Sequence, residues 1–185
     1  MREILFRAKT LNTESKWVEG FYNHIPCGRF MCDEHLIQTI NEGGRIGQLY
    51  TVHETTVGQF TGLYDSTKWE DLTDAEKLDF YHQHYIGKDG MSVRFQHIDD
   101  VKRLWKGKKI FEGDILHFWS EYQESYLGKC VVMYGKFNCT CCDGVFGWYL
   151  DGGDIRDLLD NSTIKYEICG NIHDNPELLE GAANG

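Results

Sequence analysis

The sequence predicts a mainly β protein, a small barrel of SH3-like architecture built from hairpins and interrupted by one helical segment. Three observations carry this. Period-2 alternation of apolar and polar residues dominates both ends of the 185-residue chain. Twenty glycines against two prolines point to short glycine turns between strands. Aromatics make up 14% of the chain, which supplies large rings to close a small β core.

The elements follow in order. Ile4, Phe6 and Ala8 alternate with Leu5 and Arg7, Thr10–Ser15 supply turn chemistry, and Lys16–Tyr22 reads as the returning strand of a hairpin. His35–Asn41 and Arg45–Val52 flank Glu42-Gly43-Gly44 as a second hairpin. A short helix over Asp33–Ile40 competes, because Leu36, Ile37 and Ile40 also fit a helical face.

At Ser66 the pattern changes. Thr73-Asp74-Ala75-Glu76 is a capping box, and Leu72, Leu78, Tyr81 and Tyr85 form one face of the helix expected after it, up to Gly87–Gly90. A second helical turn is expected over Ile98–Trp105, with Val101, Leu104 and Trp105 on its apolar side. From Gly107 the alternation returns. Glu112-Gly113-Asp114 turns into a strand at Ile115–Trp119, with further strands at Gly128–Tyr134, Val145–Leu150 and Ile164–Ile172. Asp154–Leu159 is expected as a short helix, and Asn175–Leu179 as a closing turn before a flexible tail at 180–185.

Composition excludes several classes. Apolar residues at 41% and charged residues at 26% argue against general disorder. No apolar run approaches the ~18 residues that span a bilayer, and the N-terminus has no signal-peptide core, so a cytoplasmic protein is expected with no membrane partner. Its seven cysteines then read as reduced thiols. The net charge is −10, of which residues 107–185 carry −7 from 6 basic and 13 acidic side chains. Such a surface repels phosphate backbones, so nucleic acid is an improbable partner without help, and a basic protein face suits it better.

Arg2–Ala8, Lys16-Trp17-Val18-Glu19-Gly20, Thr56–Asp65, Gly107–Ile115, Phe146-Gly147-Trp148, Tyr166–Ile172 and Asn175-Pro176-Glu177-Leu178 follow one another along the chain. In this order they resemble the YopX-like family of phage and prophage proteins. The resemblance implies a β fold with an SH3-like barrel in the C-terminal half and a home in a mobile element. It implies no activity. In the family pattern the Gly-Lys-Lys segment follows Asp65 closely, whereas about 40 residues intervene here. The expected domains are therefore 1–65 with 107–179 as the YopX-like unit, and 66–106 as a helical insertion packed on it.

Candidate chemistry is sparse. Gly58 and Gly62 are expected in backbone conformations closed to other residues, with Gln59 and Thr61 between them as turn hydrogen-bonders or binding residues of an exposed loop. Glu112 and Asp114 are the residue types that ligate a cation or act as acid and base, but a tight turn needs the same ones, and the turn is preferred. Cys139, Cys141 and Cys142 cluster, with Cys130 or Cys169 in reach and Cys27 and Cys32 as a looser pair. Adjacent strand cysteines point to opposite faces, so no metal and no disulfide is expected there. His82 and His84 lie on different sides of a helix and share no metal. Asp151, Asp154, Asp157 and Asp160 lack the glycine and distal glutamate of a calcium loop and read as an acid-capped helix start.

No P-loop, G-x-S-x-G or dinucleotide fingerprint is present. The sequence thus points to a non-enzymatic interaction protein with no cofactor, binding a protein partner or a second copy of itself. Its binding face would use the aromatics of the insertion (Trp69, Phe80, Tyr81, Tyr85, Phe95, Trp105) with neighbouring loops. A nucleic-acid-associated factor and a hydrolase with a cryptic site are the alternatives.

Overall fold

The computed structural model describes residues 4–26, 33–41, 45–85, 98–120, 125–138, 144–152, 156–159 and 164–180. The described residues are mainly β, with two short α-helices among them. It divides into two compact units: Met1–Gln59 with Thr67–Gly107, and Phe60–Ser66 with Lys108–Gly185.

In the first unit β1 (Phe6–Lys9) pairs antiparallel with β2 (Trp17–Ile25), as the alternation at the N-terminus predicts. β3 (Glu34–Asn41) and β4 (Arg45–Thr51) extend the sheet in the order β4-β3-β2-β1. The strand reading of 34–41 prevails over the helical one because both faces find cover: Leu36 and Ile37, consecutive residues, are both buried. Ala8, Val18, Ile37 and Val52 form the core of this sheet, with Phe6, Tyr22, Tyr50 and Val57 against it. Gly20 permits the closest approach. A Cβ there would lie 2.1 Å from the Gln38 carbonyl oxygen, so no other residue fits.

The helical segment is built as its capping box requires. Thr73 N–H donates to Glu76 Oε2 (2.8 Å) and Glu76 N–H to Thr73 Oγ1 (3.3 Å), and α1 runs Asp74–Tyr85. Of its expected face, Leu72 is buried with Trp69 and Val101 and Tyr81 packs on that cluster, but Leu78 is half exposed and Phe80 packs there as well. The cluster forms because the flanking pieces are short 3₁₀ turns, Trp69–Asp71 and Ile98–Leu104, which bring Trp69 and Val101 in from outside the helix. Leu104, expected on the apolar side, is exposed, while Trp105 joins the cluster and donates its indole N–H to Thr67 O at 2.8 Å. Gly87–Gly90 lies outside the described residues.

In the second unit, β7 (Asp114–Ser120), β8 (Ser125–Phe137), β9 (Val145–Asp151), β10 (Arg156–Leu158) and β11 (Ile164–Asn171) form an antiparallel sheet in the order β10-β9-β8-β7-β11. Its core comes from alternate residues of successive strands: Leu116 and Phe118, Cys130 and Val132, Trp148 and Leu150, and Tyr166. β5 (Gly58–Tyr64) begins in the first unit, where Gly58 and Gln59 pair with Arg7 and Phe6. It ends in the second, pairing with β6 (Lys109–Phe111).

Three expectations are corrected here. The segment 58–64 is a strand rather than an exposed loop; Gly62 does take φ +88°, but Gly58 sits in regular pairing with Arg7. Leu159 is not the end of a helix: Arg156–Leu158 is an edge strand registered on Asp151, Leu150 and Tyr149, because Arg156 reaches the Asp151 carboxylate at 3.1 Å and Leu159 is buried in the core. The aspartate series is therefore no helix start, since Asp151 closes β9 and Asp157 lies in β10, with Asp154 and Asp160 outside the described residues. α2 (Glu177–Glu180) follows the closing turn at Asn171–Pro176, and the tail 181–185 lies outside the description.

Candidate functional site

A set of titratable groups gathers in the first unit, on the β2–β3 hairpin. Its register sets His24 directly opposite His35, and their rings stack at 4.8 Å and 17°. The Tyr22 hydroxyl lies 2.5 Å from His35 Nδ1. Glu54, presented by the 3₁₀ turn Glu54–Thr56, sits 3.5 Å from His35 Nε2, and Asp33 lies 3.3 Å from His24 Nε2. Burial, and then the charge of Glu54, push the Tyr22 phenol above its ordinary range, so it stays protonated. Tyr22, His35 and Glu54 thus form one line of polar contacts through the two nitrogens of the ring. This carboxylate–imidazole–phenol chain orients the His35 ring. It does not create an activated nucleophile, because its outer end is a phenol that resists ionisation. No three His, Cys, Asp or Glu groups converge to hold a metal ion among the described residues.

Histidine spacing along the chain does not show this set. His24 and His35 are eleven residues apart and meet only through the hairpin register; reading β2 and β3 as a hairpin would have paired them.

In the second unit two buried carboxylates act on backbone groups. Asp65 Oδ1 accepts from Lys108 N–H (2.8 Å), Oδ2 accepts from Ile168 N–H (3.4 Å), and Asp65 N–H donates to Lys108 O (2.8 Å). The two points where the chain leaves and re-enters this unit are thus hydrogen-bonded to each other. Asp114, 1% exposed, accepts from Phe111 N–H at 2.8 Å and from Asn171 Nδ2 at 3.4 Å. Gly113 takes φ +82° between them, donating to Val132 O and accepting from Ile172 N–H. Farther along, β8 and β9 carry Tyr134, Phe146 and Trp148 on the core side of the sheet. Tyr134 contacts Phe146 at 5.2 Å and Trp148 at 4.7 Å, yet Tyr134 is 47% and Phe146 67% exposed.

Residues 105–180 match the family model described as YopX protein. This stretch is a YopX-like domain. No curated protein and no solved structure matches the chain. No helix of the described residues is long and apolar enough to cross a membrane.

The expected binding residues divide between the YopX domain and the rest of the chain. In the YopX domain, Glu112 and Asp114 flank the Gly113 turn, Glu112 half-buried and Asp114 fully buried, where its carboxylate satisfies backbone. Upstream of it Thr61 is buried, donating from Oγ1 to Ile110 O at 2.9 Å, and Gln59 is half-buried opposite Phe6. Trp69 is buried, and Phe80, Tyr81 and Trp105 pack on its cluster, so these rings supply a core. The Tyr85 side chain and Phe95 lie outside the described residues, as do Cys27, Cys32, Cys139, Cys141 and Cys142. The YopX domain buries Cys130, whose thiol is pushed up to about 11 by burial and then by Asp151, and half-buries Cys169, also raised by burial. The exposed pair Tyr134 and Phe146 went unnoticed in the sequence, since alternation assigns both to the core face and only the packing shows which end of that face is left uncovered.

Proposed function

We propose that the chain is a phage or prophage accessory protein that acts in the cytosol without catalysis, as a protein-interaction scaffold. The observation that carries this is the open aromatic end of the YopX domain's core face. Trp148 is anchored under Tyr134, and Phe146 stands two-thirds exposed beside it. Leaving large rings in water on a face otherwise used for packing costs the hydrophobic gain of covering them, and such patches mark interaction surfaces. Tyr and Trp are enriched in protein interfaces. With −7 over residues 107–185, the partner would present an apolar knob with a basic rim.

In the same reading the stretch 66–106 is an insertion into the YopX-like unit of 1–65 and 107–179. The reciprocal bonding of Asp65 and Lys108 supports it, since a segment whose ends are joined is tolerated at small entropic cost. An SH3-like closure of the C-terminal half belongs to the proposal as well. Its support is Ser66, which follows β5 and donates to Tyr166 O on the free edge of β11 (2.7 Å).

The test is affinity capture from an infected or lysogenic cell with the wild-type chain and with Phe146→Ala. A protein retained by the first and lost by the second is expected. Retention of the same proteins by both would remove the aromatic face from the function. One observation favours a second reading, nucleic-acid association: Lys136 is the cross-strand neighbour of Phe146, which joins a cation to a stacking ring. Salt-dependent binding of single-stranded DNA, lost in Phe146→Ala, would replace the first reading with this one.

A further inference from the structure

The histidines of the β2–β3 hairpin belong to a row of rings that leads out of the first unit's core into water. The row starts at Phe6 and Tyr22, which pack on that core and on each other at 5.4 Å. Tyr22 and His35 follow, with centroids 6.0 Å apart and planes 23° from parallel. His24 stacks on the far side, at 4.8 Å and 17° from His35. Exposure rises along the row: the His35 side chain is 12% exposed and that of His24 43%. Among the described residues the row ends there, with one face of the His24 ring toward solvent.

Two carboxylates stand at the tips of these rings. Asp33 meets His24 and Glu54 meets His35, each at Nε2, the nitrogen on the side of the ring away from the backbone. Both carboxylates are more than half exposed. Backbone bonds hold Glu54 in place. Val52 N–H donates to His35 O and His53 N–H to Lys9 O, both at 2.9 Å. Thr56 Oγ1 donates to His53 O and accepts from Lys9 N–H, again at 2.9 Å. The 3₁₀ turn that carries Glu54 is thus tied to β1, and the residue before it to β3. The Tyr22 phenol, raised by burial and then by the charge of Glu54, registers the negative field beside the row.

We propose that the outer end of this row docks an arginine side chain of a basic partner protein, its guanidinium lying on His24 with its N–H groups directed at Asp33 and Glu54. A guanidinium is flat, permanently charged and weakly hydrated, so it can stack on a ring and donate to carboxylates at the same time. An ammonium can only do the second. The sign of the partner follows from the charge around the rings, two carboxylates in a chain of net charge −10. Rigidity favours binding as well. The inner rings are packed in the core and the turn of Glu54 is bonded in place, so docking orders little on this side. One stacked and ion-paired side chain gives a weak contact by itself and serves as an anchor within a larger one. This surface goes beyond the scaffold reading, which rests on Tyr134 and Phe146 of the other unit, and either can fail without the other.

Titration of the full chain with a capped short peptide, one arginine among glycines, tests it at neutral pH and low salt, followed by the NMR signals of the His24 and His35 rings. Both rings should shift and saturate together. The same peptide with lysine in place of arginine should bind at least about threefold more weakly. Glu54→Gln should weaken the arginine peptide about threefold. His24→Ala, read at the His35 ring, should weaken it by about as much and bring it level with the lysine peptide. Circular dichroism and the unfolding midpoint check that each variant is folded, and His24→Gln serves if the alanine variant folds poorly. Phe146→Ala should bind the peptide like the wild type. No saturable shift up to about 10 mM peptide would overturn the proposal. So would equal affinity for the arginine and lysine peptides, or binding unchanged in both Glu54→Gln and the His24 variant. Loss of binding in Phe146→Ala would overturn it too, because the arginine would then sit at the aromatic end of the YopX domain.

Discussion

Replacing Asp114 with alanine separates the two uses a carboxylate could have beside Gly113. In the structure Asp114 is 1% exposed and Oδ2 accepts from the buried Phe111 N–H at 2.8 Å. The bond is short and charge-assisted, a class worth about 1.5–3 kcal/mol, and its loss takes this acceptor from a buried donor. The contact from Asn171 Nδ2 at 3.4 Å is near the limit of a hydrogen bond and adds little. Asp114→Ala should therefore destabilise the second unit by about 2–3 kcal/mol. Asp114→Asn keeps an oxygen for Phe111 N–H and should cost only about 1 kcal/mol. Urea unfolding followed by tryptophan fluorescence and near-ultraviolet circular dichroism reads both, with midpoints compared at constant slope. An alanine variant within about 0.5 kcal/mol of wild type would refute the reasoning and free Asp114 for a role in binding or acid–base chemistry.

Three further outcomes follow from particular contacts. Gly20→Ala places a Cβ 2.1 Å from the Gln38 carbonyl oxygen, a backbone atom that cannot swing away, and should cost at least about 3 kcal/mol in the first unit, or prevent its folding, by the same unfolding assay. Cys130, with its thiol raised from the ordinary 9.0 to about 11, should resist alkylation in the folded protein at about pH 8 and react once the chain is unfolded, as peptide mass mapping would show. Because the folded value lies above the unfolded one, the protonated thiol's contribution to stability is complete below about pH 9 and is lost as the pH rises toward 11. A midpoint that does not fall across that window would contradict the assignment.

How much of this was legible beforehand depends on the distance between the residues involved. The hairpin of Phe6–Lys9 with Trp17–Ile25 and the capped start of α1 at Thr73 are written within a few residues of sequence, in alternation and in the reciprocal Thr73–Glu76 bonds. The tight turn at Gly113 is local in the same way. So is the YopX resemblance, carried by short ordered segments, of which the family model covers 105–180. The edge strand Arg156–Leu158 is different. Its residues fit a short helix on their own, and only the open edge of β9, with Asp151 waiting for Arg156, makes the extended form better. The buried rings around Trp69 follow the same rule, because Trp69 and Val101 come together from pieces more than thirty residues apart. His24 and His35 meet through a register, and the exposure of Phe146 depends on where the covering layer of the core stops. The sequence by itself determined the first hairpin, the Gly113 turn, the cap at Thr73 and the YopX resemblance over 105–180, because those rest on neighbours along the chain. Which carboxylates are buried, which histidines stack and which rings stay in water were decided by tertiary structure, because each depends on atoms that the chain brings together only after the strands have paired.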